Sequence, residues 1–132
     1  QHQWPLYPGT GRADEIGEGK GRGATLNVPL PPATPEQKYL DLFFKTTEEV
    51  CKKIKPEFIL LSAGFDAHRD DPLANLMLSA AGFGKMTEWV AELARLYCSG
   101  RLMSILEGGY NLTALANSVA AHLEVLIAQP SL

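Results

Sequence analysis

Downstream of Thr34 the apolar residues switch repeatedly between helical spacing and short continuous runs. Tyr39, Leu40, Phe43, Val50 and Ile54 recur at helical intervals behind Thr34-Pro35-Glu36-Gln37, which has the form of a capping box with proline at the first helical position. That pattern predicts an amphipathic helix of about five turns that stops before Pro56. Phe58-Ile59-Leu60-Leu61 is an unbroken apolar run, the signature of a strand buried on both faces of a parallel sheet. A second helix is predicted from Gly82 to Cys98, with Phe83, Met86, Val90, Leu93 and Tyr97 on one stripe and Ser99-Gly100 ending it. Leu102 to Leu106 reads as the next strand. Asn111 then caps a last helix carrying Leu112, Leu115, Val119, Leu123, Leu126 and Ile127.

Upstream the pattern dissolves. Residues 5–23 hold Pro5, Pro8, Gly9, Gly11, Gly17, Gly19, Gly21 and Gly23 with aromatics among them, which reads as a functional loop rather than a linker. Thr25 to Leu30 alternates with period two and ends at Pro31-Pro32, as a short edge strand would. The chain therefore divides into a loop-rich segment, 1–33, and a segment of alternating helices and strands, 34–128. The order α-β-α-β-α predicts an α/β fold, a parallel sheet with flanking helices. Two or three strands make a thin sheet, and the count hints at a missing half. There is no internal repeat.

Composition narrows the class. At 132 residues, 45% hydrophobic and 20% charged, the chain has the size of one soluble globular domain. A formal net charge of −3, with Lys52-Lys53 the only adjacent basic pair, leaves no surface for a phosphate backbone, so nucleic acid is not an expected ligand. Cys51 and Cys98 lie in helix-like segments outside any CxxC or Cys/His spacing and are expected as reduced thiols, which suits the cytoplasm. No apolar run approaches the ~20 residues of a membrane span, and no basic-then-apolar leader precedes the loop. The chain opens without Met on Gln1-His2-Gln3-Trp4; a piece of a longer chain and a trimmed mature start both account for that.

Candidate chemistry concentrates just past two of the predicted strands, the first at 58–61 and the second at 102–106, on the edge where open parallel sheets bind ligands. Asp66 follows the first strand in a loop between Gly64 and Pro72. A carboxylate there can ligate a metal, act as a base or cap a turn. Asp70 and Asp71 in the same loop read as turn-fixing groups. His68 forms a D-x-H spacing with Asp66, but two ligands do not make a zinc site. His2 sits at a terminus, and His122 falls inside the last amphipathic helix, in a surface or core role. Past the second strand, Gly108-Gly109 lets the backbone approach a ligand, and Tyr110 sets a phenol at its edge. That phenol either donates to a developing oxyanion or packs at a helix-entry turn. Gly19-Lys20-Gly21-Arg22-Gly23 lacks the ending and the strand–helix setting of a phosphate-binding loop. No nucleophile elbow is present.

Taken in order, Tyr7-Pro8-Gly9-Thr10-Gly11, Gly17 to Gly23, Asn27-Val28-Pro29-Leu30, Ser62 to Leu73 and Leu106-Glu107-Gly108-Gly109-Tyr110-Asn111 resemble the histone deacetylase family. Its class II and bacterial deacetylase-like members, which include acetylpolyamine amidohydrolases, carry the strongest likeness. The resemblance implies an arginase-like α/β fold, here partial, with a zinc ion at the carboxyl edge of the sheet. It implies that Asp66 is one of three metal ligands and that Tyr110 polarises the acyl carbonyl. By the same likeness Tyr7 and Leu73 wall the channel for an acylated amine, and Gly108 and Gly109 border it. His68 matches no ligand.

The implied activity is zinc-assisted amide hydrolysis removing an acetyl or similar acyl group. The family's His-His dyad and Asp-x-His ligands have no counterpart in these residues, so the chain alone is expected to bind zinc poorly and to be inactive. A non-catalytic half-domain, acting as an interaction or oligomerisation module, is the competing expectation. In either case exposed strand edges predict self-association or a missing N-terminal half.

Overall fold

The computed structural model describes residues 1–128. Its elements are β1 (His2–Gln3), β2 (Pro29–Leu30), α1 (Glu36–Ile54), β3 (Ile59–Ala63), α2 (Ala80–Cys98), β4 (Leu102–Leu106) and α3 (Leu112–Ala128), with one 3-10 turn at Gly19–Gly21. β1 pairs with β2, and β3 with β4, both parallel. The α/β reading with parallel strands and flanking helices holds. The edge strand expected over 25–30 is reduced to Pro29–Leu30, and its partner at the start of the chain had no sequence signal.

Helix ends follow local chemistry, with one correction. Thr34 does not cap α1: its hydroxyl donates to Pro31 O at 2.6 Å, and Pro35 occupies the cap position without a side-chain bond. Gln37, expected to reach back, donates instead to Asp41 at 2.8 Å. The Glu36 carboxylate turns to the other helix and accepts from Ser79 N at 2.6 Å and Ser79 Oγ at 2.7 Å. Ser79 Oγ in turn accepts from Gly82 N and caps α2, so α2 begins at Ala80, two residues before the expected Gly82. Before Pro56, α1 closes on Lys55, and α2 closes on Ser99, both in the left-handed conformation. At α3, Asn111 Oδ1 accepts from Ala114 N at 3.0 Å, the cap that the sequence predicts.

α3 packs on α2, and α2 on α1. This helical layer lies on the sheet face that carries Leu61, Ala63 and Ser104, where His122 of α3 reaches Ser104 Oγ at 3.0 Å. Leu30, Tyr39, Leu40, Phe65, Ala67, Leu76, Leu78 and Phe83 form the core beneath the carboxyl edge. The expectation that β3 is buried on both faces is corrected. Leu60, Met103 and Ile105, on the opposite face, are 63%, 51% and 41% exposed, because no element among the described residues covers that side.

Candidate active site

Two loops leave the sheet at the same edge. The ladder runs on past the strand ends, with Glu107 N donating to Ala63 O at 3.0 Å and Phe65 N to Gly108 O at 2.8 Å, so the segment after β3 and the segment after β4 stay side by side. Phe65 is buried in the core against Phe83 and His122, which fixes the backbone immediately before Asp66.

Asp66 and Tyr110 meet over Gly108. The point a Cβ on Gly108 would occupy lies 3.1 Å from Asp66 Oδ2 and 3.4 Å from Tyr110 Oη, so a side chain there would push into the space the two groups share. Gly109 has φ +142°, and a Cβ there would sit 2.8 Å from Leu115 Cδ1, so glycine is sterically required at that position. Asp66 is half-buried. Burial raises its carboxyl pKa above the ordinary value, its own backbone amide offsets part of this, and the nearby Asp71 charge adds to the rise. None of the protein ion pairs among the described residues includes Asp66.

The remaining candidates divide. Tyr7 and Gly108 line the same cavity as Asp66, of about 540 Å³, together with Tyr39, Phe83 and His122. Tyr7 nevertheless projects from its loop and is 94% exposed. Leu73 is exposed in the Asp66 loop, its amide held by Asp71 Oδ1 at 2.9 Å. His68 is occupied within its own loop: Nδ1 accepts from Asp70 N at 3.1 Å. Asp71 fixes the loop, as its sequence setting suggests.

Sequence reasoning missed the buried chain through His122. Thr87 Oγ1 donates to Phe83 O at 2.8 Å and so accepts from His122 Nδ1 at 2.7 Å, which leaves Nε2 to accept from Ser104. Burial lowers the His122 pKa, consistent with that neutral tautomer. The one available signal was a histidine in an apolar stripe.

A zinc centre takes three or four protein groups. Asp66 has the chemistry of one of them, but the described residues bring no group of three His, Cys, Asp or Glu together, so they do not hold the ion by themselves.

A parallel α/β sheet with an acid and a phenol past its strand ends presents the edge at which open sheets of this class bind ligands. The histone deacetylase domain matches residues 1–126, and the chain belongs to that family. It is 46% identical over 110 residues to a probable deacetylase of Archaeoglobus fulgidus, covering 83% of this chain and 31% of that protein. It is 43% identical to histone deacetylase 14, chloroplastic, of Arabidopsis thaliana, covering 99% of this chain and 31% of the relative. The solved HD domain of HDA15 superposes with a TM-score of 0.87 at 36% identity, covering 99% of this chain and 38% of that one. The histone deacetylase Clr3 gives 0.83 at 31% identity, covering 95% and 21%. The chain thus spans about a third of the length of the curated relatives named here.

Proposed function

We propose that this chain supplies the Asp66 and Tyr110 side of a deacetylase site that hydrolyses the amide of an acylated amine. The convergence of the two groups over Gly108, in a chain of the histone deacetylase family, carries this reading. Asp66 serves as one ligand of a zinc ion whose other ligands and general base belong to the rest of the complete site. When bound, zinc lowers the pKa of water and polarises the scissile carbonyl. Tyr110 donates its phenolic hydrogen to the carbonyl oxygen as negative charge develops there. Gly108 and Gly109 let the acyl group lie against bare backbone, while Tyr7 and Leu73 border the path of the amine chain. A reducing compartment such as the cytoplasm suits the free buried thiols of Cys51 and Cys98.

The test is a pair of substitutions in the complete deacetylase carrying this sequence. Tyr110→Phe is expected to lower turnover by about 10²-fold or more with zinc content unchanged, because one oxyanion donor is lost. Asp66→Ala is expected to deplete the metal. Unchanged turnover in the first, or full zinc occupancy in the second, would refute the corresponding role.

The bare face at Leu60, Met103 and Ile105 supports a second proposal, that the isolated chain self-associates. Sedimentation should show oligomers that Leu60→Lys disperses. A strictly monomeric chain at high concentration would end the idea.

A further inference from the structure

We infer that Asp71 is a positioning residue that holds the phenol of Tyr110 in register with the channel wall at Leu73; this rests on the deacetylase reading above. Asp71 is only 8% exposed and takes part in none of the ion pairs among the described residues. Backbone amides occupy its carboxylate instead. Oδ2 accepts from Tyr110 N at 2.8 Å, while Oδ1 accepts from Leu73 N at 2.9 Å and Ala74 N at 3.3 Å. One side chain therefore joins the loop after β3 to the loop after β4.

The phenol loop returns the contact. Asn111 Nδ2 donates to Asp70 O at 3.0 Å, while Asn111 Oδ1 accepts from Ala114 N and caps α3. Tyr110 lies between these ties and is itself 55% exposed, so its place is set through its backbone rather than by packing of the ring. Hydrogen bonds to an ionised acceptor are the strong ones, and buried they hold a loop against drift. Displacing a reacting group by about 1 Å can cost ~10²-fold in rate, so the group that fixes the Tyr110 backbone acts on chemistry it does not touch.

The carboxylate cannot be replaced by its amide. Both oxygens face N–H groups, so either orientation of an asparagine sets its NH₂ against the amide of Tyr110 or against those of Leu73 and Ala74. Asp71→Asn keeps the shape and breaks one arm.

Two measurements test the role. In ¹⁵N-labelled chain, the Tyr110 and Leu73 amides should exchange slowly with solvent, and Asp71→Asn should speed one of them at least ~10-fold while β4 amides stay protected. A freely exchanging Tyr110 amide in the unsubstituted chain overturns the proposal without any variant. In the complete deacetylase, Asp71→Asn should lower kcat about tenfold when Tyr110 is present and less than twofold in a Tyr110→Phe background. Equal losses in both backgrounds would mark a general folding defect and overturn the role. If Tyr110→Phe alone leaves turnover unaltered, the reading of the phenol falls, while amide exchange still decides whether Asp71 holds its backbone.

Discussion

The loop over residues 64–78 and the loop over residues 5–23 are both long and irregular, yet they are built by opposite means. The first is tied to distant parts of the fold. Asp71 binds the Tyr110 amide, Asn111 binds Asp70 O, Phe65 N donates to Gly108 O at 2.8 Å and Asn75 N to Gln3 Oε1 at 2.6 Å, while Arg69 N to Leu78 O and Leu78 N to Ala67 O, at 2.9 and 3.1 Å, close the loop on itself. Phe65, Ala67, His68, Asp71, Ala74, Leu76 and Leu78 along it are all buried. Within residues 5–23 the bonds are mostly short-range: Gly9 N to Leu6 O, Glu15 N to Arg12 O, Gly11 N to Glu15 Oε2, and the exposed pair of Arg12 and Asp14. A loop with its own core is a preorganised part of a site. A loop held by itself depends on something else to press it into place.

The larger effect comes from cutting the anchor of the tied loop. Glu36 accepts both donors of Ser79, the residue that ends this loop and starts α2. Glu36→Ala should cost about 1.5–3 kcal/mol in urea unfolding, the range for a hydrogen bond to a charged group. The pH dependence carries a defined sign. Burial pushes the Glu36 carboxyl up, but the hydroxyl and amide of Ser79 outweigh it and hold the pKa below the ordinary value. An acid depressed in the folded state stabilises above its ordinary pKa, and that stability fades as pH falls through the folded value. Asp66 works the other way: raised by burial, its ionisation costs stability at neutral pH, and protonation relieves the cost as pH falls. The gap between the stability curves of wild type and Glu36→Ala should therefore narrow in acid. A gap constant down to about pH 3 would break the assignment, since the ordinary glutamate value lies near 4.3.

The same contrast explains what the sequence made legible. Helices α1, α2 and α3 follow from periodicity and strands β3 and β4 from short apolar runs, because each buries one face or stripe against a neighbour close in sequence order. The positions of Asp66 and Tyr110 were legible through the strand ends that precede them. The cross-loop bonds were not: Asp71 meets Tyr110 39 positions away, and nothing in Asp-Pro-Leu distinguishes a carboxylate that fixes its own turn from one that also fixes another. Thr34 misled for a related reason. A hydroxyl three residues before a glutamine has the look of a capping box, but Pro31 O lay within reach of Thr34, and Gln37 had a better partner in Asp41. The bare face of β3 was misread because a continuous apolar run shows that both faces want cover without showing which residues provide it.

The smallest effect expected is the most discriminating for the looser loop. Tyr7 is 94% exposed, so Tyr7→Ala should leave the stability of the chain within about 0.5 kcal/mol of wild type. In the complete deacetylase its proposed place beside the amine path gives it contact with the bound chain in ground state and transition state alike. Loss of such uniform binding raises KM while kcat stays near its original value. A several-fold rise in KM with kcat held would show that the loop serves as a wall that the rest of the protein presses into position. A fall in kcat without a change in KM would instead place Tyr7 among the groups that act on the reacting carbonyl, and the division between a preorganised loop and a dependent one would fail at the residue where it is drawn most sharply.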